Sequence, residues 1–409
     1  MKVLSFLILR PGGPRFGGAA DAARLLSTEL TEHVDLDFAE MSDRDETESW
    51  QGTDYIFVPG FHGIPALLRK LIPPLRHRFL NVFTFSKISK LLDKGDYDVV
   101  HIYNLHPTWA AAQVAFLCKR RGIKTVLACH GIHETANRAS VSKIKGLLVP
   151  AVYLGVSLPL KYLVKNSTMI FASTAADFPV LEKLGAKKEN IRIVTNGVDK
   201  EYFIENSPEQ LETVRAKYKL PSDNPLLVFV GHLRPKKCVD ILLQAAAKVR
   251  GDFHLVVVGP DSFPEHFKML MQLVDELKLE QTVTFTKRVP LADLSVLYQL
   301  ADIFVLPSRS ETLPLSIMEA MAKSKPVIAS AVGGIPHQVN EETGILVQPE
   351  DVDDLAGAID RLLREPETRK AMGAAGRARL MKEFTWKHAA EKALAGYRDL
   401  NAGNGKGIE

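Results

Sequence analysis

The chain has 409 residues but few cysteines and no apolar run long enough to cross a bilayer. Its cysteines, Cys118, Cys129 and Cys238, are an odd number without the short paired spacing of metal-binding motifs. Neither a disulfide framework nor a zinc site is expected, and a reducing cytoplasm suits the chain. The uncharged stretch Gly146–Leu160 contains two prolines and is shorter than the roughly 20 residues of a membrane span. We therefore predict no transmembrane helix.

Acidic residues are missing from two segments of the first half. Tyr55–Leu92 and Thr135–Ala176 hold no Asp or Glu, while Lys and Arg recur among Leu, Ile and Phe. Residues 1–200 carry 26 Lys and Arg against 19 Asp and Glu, which leaves 26 against 29 for the remainder. This pattern is typical of contact with an anionic membrane surface, here the inner face of the cell membrane. A solvated face on ordinary core helices is an equally good interpretation.

Short apolar, β-branched runs alternate with longer helix-compatible segments in both halves. They extend from VLSFLI to IRIVTNG in the first half and from LLVFVG to GILV in the second. Strands that are apolar on both faces predict parallel, doubly wound sheets, so the fold class is α/β with two Rossmann-like domains. The predicted divisions are 1–205, 206–385, a helix over 386–400 that packs back on the first domain, and a disordered tail over 401–409.

The segment SRSETLPLSIME, Ser308–Glu319, places two glutamates eight positions apart. Glu311 precedes a predicted helix and Glu319 lies within it, so one carboxylate can meet ligand hydroxyls while the other reaches elsewhere. Backbone amides at a helix start offer donors and a positive dipole end to phosphate; here these belong to Thr312, Leu313 and Leu315. Glutamates near a helix start also serve as caps, so the pair alone does not define a site.

Two further segments have features that favour the binding of phosphate groups. In GGPRFGG at residues 12–18, Gly17 and Gly18 precede a helix-forming stretch, where a chain without side chains can approach a pyrophosphate closely. The basic segment Gly231–Lys237 follows the strand LLVFV, and its cations would stabilise a departing diphosphate. His130 ends the predicted strand TVLACH; a lone histidine is more often structural than functional.

The order of these segments resembles the family 4 retaining glycosyltransferases of the GT-B fold, also called glycosyl transferases group 1. The resemblance runs along nearly the whole chain and is carried by the glycine loop, HG at 130–131, NGVD at 196–199, GHLRPKK at 231–237, VVVG at 256–259 and GGIPHQVNEETGILV at 333–347. It implies two Rossmann-like domains facing each other across a cleft, the first for the acceptor and the second for a nucleotide sugar.

The family's residue roles transfer only to matching positions. Glu311 would bind donor-sugar hydroxyls, Glu319 the nucleotide ribose, and Lys237 the diphosphate. Close relatives have arginine where this chain has His232, so we expect Arg234 to supply the guanidinium. The resemblance also makes Gly17, Gly18, His232 and the amides of residues 312, 313 and 315 donor contacts, and His130 a contact of donor sugar or acceptor.

The resemblance implies transfer of a hexosyl group from a UDP- or GDP-sugar to a lipid-linked or polysaccharide acceptor. No carboxylate nucleophile is marked, so retention would follow attack on the face from which the diphosphate leaves. The triplets DLD, DYD and DVD imitate metal-binding motifs, but the family implies no metal and no other cofactor.

The alternatives are a nucleotide-sugar epimerase, a starch- or sucrose-type synthase, or a non-catalytic nucleotide-sugar-binding or membrane scaffold protein. No nucleic-acid-reading module is recognised.

Overall fold

The computed structural model describes residues 1–9, 18–50, 53–62, 81–83, 85–129, 131–132, 136, 153–261 and 263–402. The chain divides into two α/β units: unit 1 takes Met1–Asn196 and Trp386–Glu409, and unit 2 takes Gly197–Thr385. The division falls before the predicted boundary at 205/206, because Val198 and Tyr202 are buried in the hydrophobic core of unit 2.

Unit 1 is built on a sheet with the strand order β3-β4-β2-β1-β6-β7-β8-β9, and β5 pairs with β4. The described pairings are parallel except those of β3 and β5, which run antiparallel to β4. The predicted runs all form strands, whereas β3 and β5 were not predicted. The strands are β1 (Lys2–Leu7), β2 (Asp35–Ser42), β3 (Glu46–Trp50), β4 (Thr53–His62), β5 (Asn81–Phe83), β6 (Val99–Tyr103), β7 (Lys124–Cys129), β8 (Met169–Ala172) and β9 (Ile191–Ile193).

Helices connect these strands, as expected for parallel pairing. The alanine-rich helix α3 buries most of its residues and packs against α4, β5 and β7. The helices are α1 (Gly18–Thr31), α2 (Phe85–Gly95), α3 (Thr108–Arg120), α4 (Leu158–Asn166) and α5 (Phe178–Lys183). No helix of the described ranges is both long and apolar enough to cross a membrane.

Unit 2 contains a parallel sheet with the strand order β12-β11-β10-β13-β14-β15. The chain leaves β10 for β11 on one side and later returns to β13 on the other, so the strand order reverses between β10 and β13. Ligands of doubly wound sheets bind beside the carboxyl ends of strands at such a reversal. The strands are β10 (Leu226–Val230), β11 (His254–Val258), β12 (Val283–Lys287), β13 (Ile303–Leu306), β14 (Val327–Ser330) and β15 (Gly344–Val347).

Two helices of unit 2, which start at Pro208 and Val352, have side-chain caps at their amino termini. Ser207 and Gln210 form a reciprocal capping box, and Asp351 accepts from the amides of Asp353 and Asp354. In the DVD triplet, Asp351 thus serves as a helix cap. The helices are α6 (Pro208–Lys217), α7 (Val239–Ala246), α8 (Pro264–Glu276), α9 (Leu291–Leu300), α10 (Leu315–Ala322), α11 (Ile335–Gln338), α12 (Val352–Arg364) and α13 (Pro366–Glu383).

The last helix, α14 (Trp386–Ala402), belongs to unit 1 and packs against α1 and β8. The hydroxyl of Tyr397 lies 2.6 Å from Nδ1 of the buried His101, and its ring stacks near Phe171. The helix runs two residues beyond the predicted end at 400, and residues 403–409 of the predicted tail lie outside the described residues.

Gly396 is the point where α14 comes nearest to the sheet. An added Cβ would lie 2.7 Å from Cε1 of Phe171 and 2.8 Å from Sδ of Met169. We expect Gly396→Ala to destabilise unit 1 by about 1–3 kcal/mol, because overpacking forces neighbouring side chains to move. Differential scanning calorimetry measures the effect.

Gly357→Ala is the matched control, because Gly357 lies in α12 and a Cβ there would have no neighbour within 4 Å. The same substitution should stabilise unit 2 by about 0.5–1 kcal/mol, since alanine favours a helix. Equal shifts in both variants would contradict the packing argument.

Candidate active site

An ion pair joins the loops that follow β10 and β13. Lys237 ends the 3₁₀ turn Pro235–Lys237, and Glu311 lies in the loop before α10. Nζ of Lys237 donates to Oε1 of Glu311 at 2.5 Å, and the two side chains are only 14% and 9% exposed. Two of the predicted site residues are thus brought together at the reversal of strand order.

The loop after β10 carries excess positive charge. Burial lowers the pKa of His232, and Arg234, Lys237, Arg288 and Lys236 lower it further. Four cations close to one imidazole favour the binding of an anion, because a negative charge would relieve their mutual repulsion. The contribution of Arg288, which follows β12, was not predicted.

Two polar atoms of this loop are buried without a hydrogen-bond partner among the described residues. They are Nδ1 of His232 and Nε of Arg234, while the Arg234 guanidinium lies 5.4 Å from the centre of the Phe263 ring. Buried polar groups are normally hydrogen-bonded, so such atoms indicate a ligand or ordered water. The predicted role of Arg234 as an anion-binding guanidinium stays a prediction, with which this buried Nε is consistent.

Two glycines allow the loops to approach backbone to backbone. A Cβ on Gly259, at φ +154°, would lie 1.8 Å from the carbonyl oxygen of Gly231. A Cβ on Gly333, at φ +54°, would lie 1.8 Å from the carbonyl oxygen of Glu311. A side chain at either position would force its loop away from the neighbouring loop, which carries Gly231 in one case and Glu311 in the other. Both glycines fall in quoted sequence motifs, but no role was predicted for either.

The start of α10 presents the predicted amides. Leu315 is the first helical residue, and its N–H is among those that a helix leaves without an internal acceptor. Thr312 is partly buried, and the Leu313 side chain is buried in the core of unit 2, where it anchors the loop. Because the leucine side chains pack in or against the core, the predicted role in ligand binding falls to the backbone amides of these residues.

Glu319 lies one turn after the start of α10. Its Oε2 accepts a hydrogen bond of 2.6 Å from the hydroxyl of Tyr298, which is fully buried. Burial, followed by the charge of Glu319, raises the pKa of Tyr298 well above its usual value. The neutral phenol of Tyr298 therefore orients the Glu319 carboxylate. A glutamate at an exposed helix position would have no such fixed orientation.

The remaining predicted residues belong to unit 1. Gly18 is the first residue of α1 and is exposed. Gly17 and His130 lie outside the described residues, so their predicted roles stay predictions.

Arg309 is a further residue of the site that the sequence did not reveal. Its backbone N–H donates to the carbonyl of Lys236 at 2.8 Å, and its guanidinium contacts the carbonyl of Pro235. The guanidinium also pairs with Glu350 and lies 3.7 Å from Asp240. Arg309 therefore fixes the turn that carries Lys237, which makes it a positioning residue.

No group of three His, Cys, Asp or Glu side chains suited to a metal ion is found in the part of the chain that the structure describes. Of the DxD triplets, Asp37 accepts from the Tyr97 hydroxyl at 2.8 Å and Asp98 from the Lys2 amide at 2.7 Å.

The sequence matches two family models that together span most of the chain. The model described as Glycosyltransferase Family 4 matches residues 16–202, and that described as Glycosyl transferases group 1 matches residues 210–379. With the two parallel α/β units, these matches show that the chain belongs to the family 4 glycosyltransferases of the GT-B fold.

Similar proteins match this chain in sequence over part of its length and in structure over nearly all of it. The D-inositol 3-phosphate glycosyltransferase of Mycobacterium tuberculosis is 33% identical over 316 residues, which make up 75% of this chain but only 62% of that relative. Sucrose-phosphate synthase from Thermosynechococcus elongatus has a TM-score of 0.75 at 23% identity, over 98% of this chain and 100% of that one. Anabaena HepE, solved with UDP and glucose, has a TM-score of 0.74 at 19% identity over 98% and 100% of the two chains. The structures confirm the fold.

Removing the Arg309 guanidinium should loosen the turn that holds Lys237. We expect Arg309→Ala to weaken UDP binding about tenfold, and Arg309→Lys to restore part of it, since lysine reaches one carbonyl but lacks the guanidinium fork. Isothermal titration calorimetry measures the affinities. Arg361→Ala, which removes an exposed arginine paired with Glu365 on α12, should leave binding unchanged. If both alanine variants bind UDP like the parent, Arg309 has no positioning role.

The pKa of His232 gives a proton-linked prediction. Burial and four cations keep this imidazole neutral at pH 7, and a bound diphosphate would raise its pKa again. Binding of UDP at pH 6.5 should therefore be accompanied by proton uptake at His232. The contribution of His232 to UDP affinity should increase as the pH falls. Calorimetry in buffers of different ionisation enthalpy counts these protons. His232→Gln leaves the titration of UDP itself in place, so equal uptake by variant and parent would refute the assignment.

Proposed function

We propose that the protein is a retaining, metal-independent hexosyltransferase that uses a nucleotide diphosphate sugar, either a UDP- or a GDP-sugar. The observation that carries the proposal is the Lys237–Glu311 ion pair within a cationic loop whose His232 and Arg234 each have a buried polar atom without a described partner. A diphosphate supplies the missing negative charge and acceptors, and a sugar supplies hydroxyls to the carboxylate.

In the proposed reaction, the bond between the anomeric carbon and the diphosphate oxygen breaks with its electron pair on the diphosphate. Lys237, Arg234 and the amides at the start of α10 stabilise that charge, which grows in the transition state. The acceptor oxygen forms the new bond from the same face, and its proton passes to the departing diphosphate. Charge neutralisation by side chains and amides is the reason for proposing metal independence.

Glu311 and Glu319 have separate parts in this proposal. Glu311 would exchange its contact with Lys237 for donor-sugar hydroxyls when the diphosphate engages the lysine. Glu319, already oriented by Tyr298, would bind the ribose of the nucleotide. Glu311 lies beside a cation and hydrogen-bonds to it, which suits a binding carboxylate better than a nucleophile.

The proposed acceptor is lipid-linked or a polysaccharide, with membrane contact through unit 1 at the inner face of the cell membrane. A second acceptor class, a phosphorylated inositol, is favoured by the name of the mycobacterial relative. That match spans 62% of the relative's length, so both acceptor classes enter the transfer assay.

Glu311→Gln tests transfer directly. With a UDP- or GDP-sugar and each acceptor class, the variant should lose about 10²–10³-fold in kcat, since it loses a contact at the reacting sugar. Product analysis by mass spectrometry and NMR gives the acceptor and the anomeric configuration. UDP affinity should change little, as the diphosphate contacts remain.

Glu341→Gln, an exposed glutamate of unit 2, is the control and should keep full activity. A parent protein that binds the donor but transfers to no acceptor would support a scaffold, and a product that remains linked to nucleotide would support an epimerase. An inverted product or a requirement for added divalent cation would overturn the corresponding part of the proposal.

A further inference from the structure

An open apolar groove lies on unit 1 between α3, α4 and the β4–β5 hairpin. It has a volume of about 650 Å³, within the range of pockets that enclose small organic ligands. Several large side chains that line it are more than a third exposed; they are Phe61, Phe85, Trp109, Phe116 and Leu158. Exposed aromatic groups of this density on one face indicate a binding surface.

The walls of the groove offer little to a polar ligand. Gln113 lies in the lining, but its Nε2 donates to the carbonyl of Phe83 and its Oε1 accepts from the amide of Phe83, both at 2.9 Å. Burial raises the pKa of Tyr162, so its phenol stays neutral. A sugar or nucleotide would lose hydrogen bonds to water here without replacement, whereas a hydrocarbon chain would not.

The rim of the groove is positively charged. Lys161 and Lys165 are exposed on α4, whose Leu158 and Tyr162 line the groove. The guanidinium of Arg120 lies 5.9 Å from the centre of the ring of Phe116, another lining residue. The acidic Asp93 on α2 is paired with Arg121 at 2.7 Å. The rim therefore complements a negative headgroup while the groove complements its hydrocarbon.

We propose that the groove binds one hydrocarbon chain of an anionic lipid at a membrane surface, with Lys161, Lys165 and Arg120 at the headgroups. A chain that moves from the bilayer into the groove removes the exposed aromatic lining from water, and the basic residues add attraction to anionic headgroups. The apolar groove and the cationic rim supply these two contributions side by side. This site is separate from the sugar-transfer chemistry of unit 2, and its test needs no nucleotide.

Trp109 provides a built-in reporter for the test. The chain has three tryptophans, of which Trp386 is buried at 7% exposure. Vesicles of phosphatidylglycerol with brominated acyl chains should quench Trp109, because bromine quenches on contact, and Trp109→Phe should remove the quenched component. Brominated phosphatidylcholine vesicles should quench little at physiological salt, since the cationic rim gains nothing from a neutral surface.

Paired lysine variants test the rim. Lys161→Ala with Lys165→Ala should weaken binding to phosphatidylglycerol vesicles by about 30-fold, on the energy usual for juxtamembrane basic residues. Lys387→Ala with Lys392→Ala removes an exposed pair on α14, which packs against α1 and β8, and should change binding less than about twofold, because distant charges are screened. Leu158→Gln should reduce quenching at unchanged charge, with circular dichroism as the check on folding.

Three results would overturn the proposal. Binding to phosphatidylglycerol without quenching of Trp109 would mean surface attraction by charge alone. No difference between the two lysine pairs would remove the rim from the site. A change of Trp109 emission with protein concentration, together with a dimer in analytical ultracentrifugation, would mean that a second copy of the chain covers the groove.

Discussion

The contact between Lys237 and Glu311 is the interaction around which unit 2 is arranged. It links the loops of two neighbouring strands that the chain visits far apart in sequence, and both side chains are largely removed from water. Removing two charges from water is costly, and the mutual attraction offsets that cost only while both partners are present. The close approach of Gly333 to Glu311, and the hold of Arg309 on the turn before Cys238, serve to keep the partners in register.

The same arrangement leaves the site with an excess of positive charge, which favours an anionic ligand. One carboxylate faces Lys237, while Arg234, Lys236 and Arg288 add positive charge around His232. Burial lowers the pKa of His232 most, and that imbalance lowers it further, so the imidazole is neutral. A ligand that brings two or more negative charges would balance the cluster and free the carboxylate for a hydroxyl partner.

The sequence predicted those features of the fold that depend on local patterns of residues. Apolar β-branched runs indicated the parallel strands, and the resemblance to family motifs predicted one site for Lys237 and Glu311, whose side chains the structure brings together. The edge strand β3 was missed because its residues, ETESW, are mostly polar and lack a buried run. Arg309 was missed because its partners Pro235 and Glu350 lie 74 and 41 positions away, so only the folded chain brings them together. Gly259 and Gly333 can be read in the sequence motifs. The carbonyl oxygens that exclude a Cβ at these positions come from other loops, so only the folded structure identifies them.

The assignment of α14 to unit 1 affects the order in which the chain is completed during synthesis. Unit 2 is continuous from Gly197 to Thr385, whereas unit 1 closes only with residues that are translated after unit 2. Until Tyr397 emerges from the ribosome, the buried faces of His101 and Phe171 lack their cover. The amino-terminal sheet therefore spends the whole translation of unit 2 with apolar surface open, a period in which chaperones or premature association compete with folding.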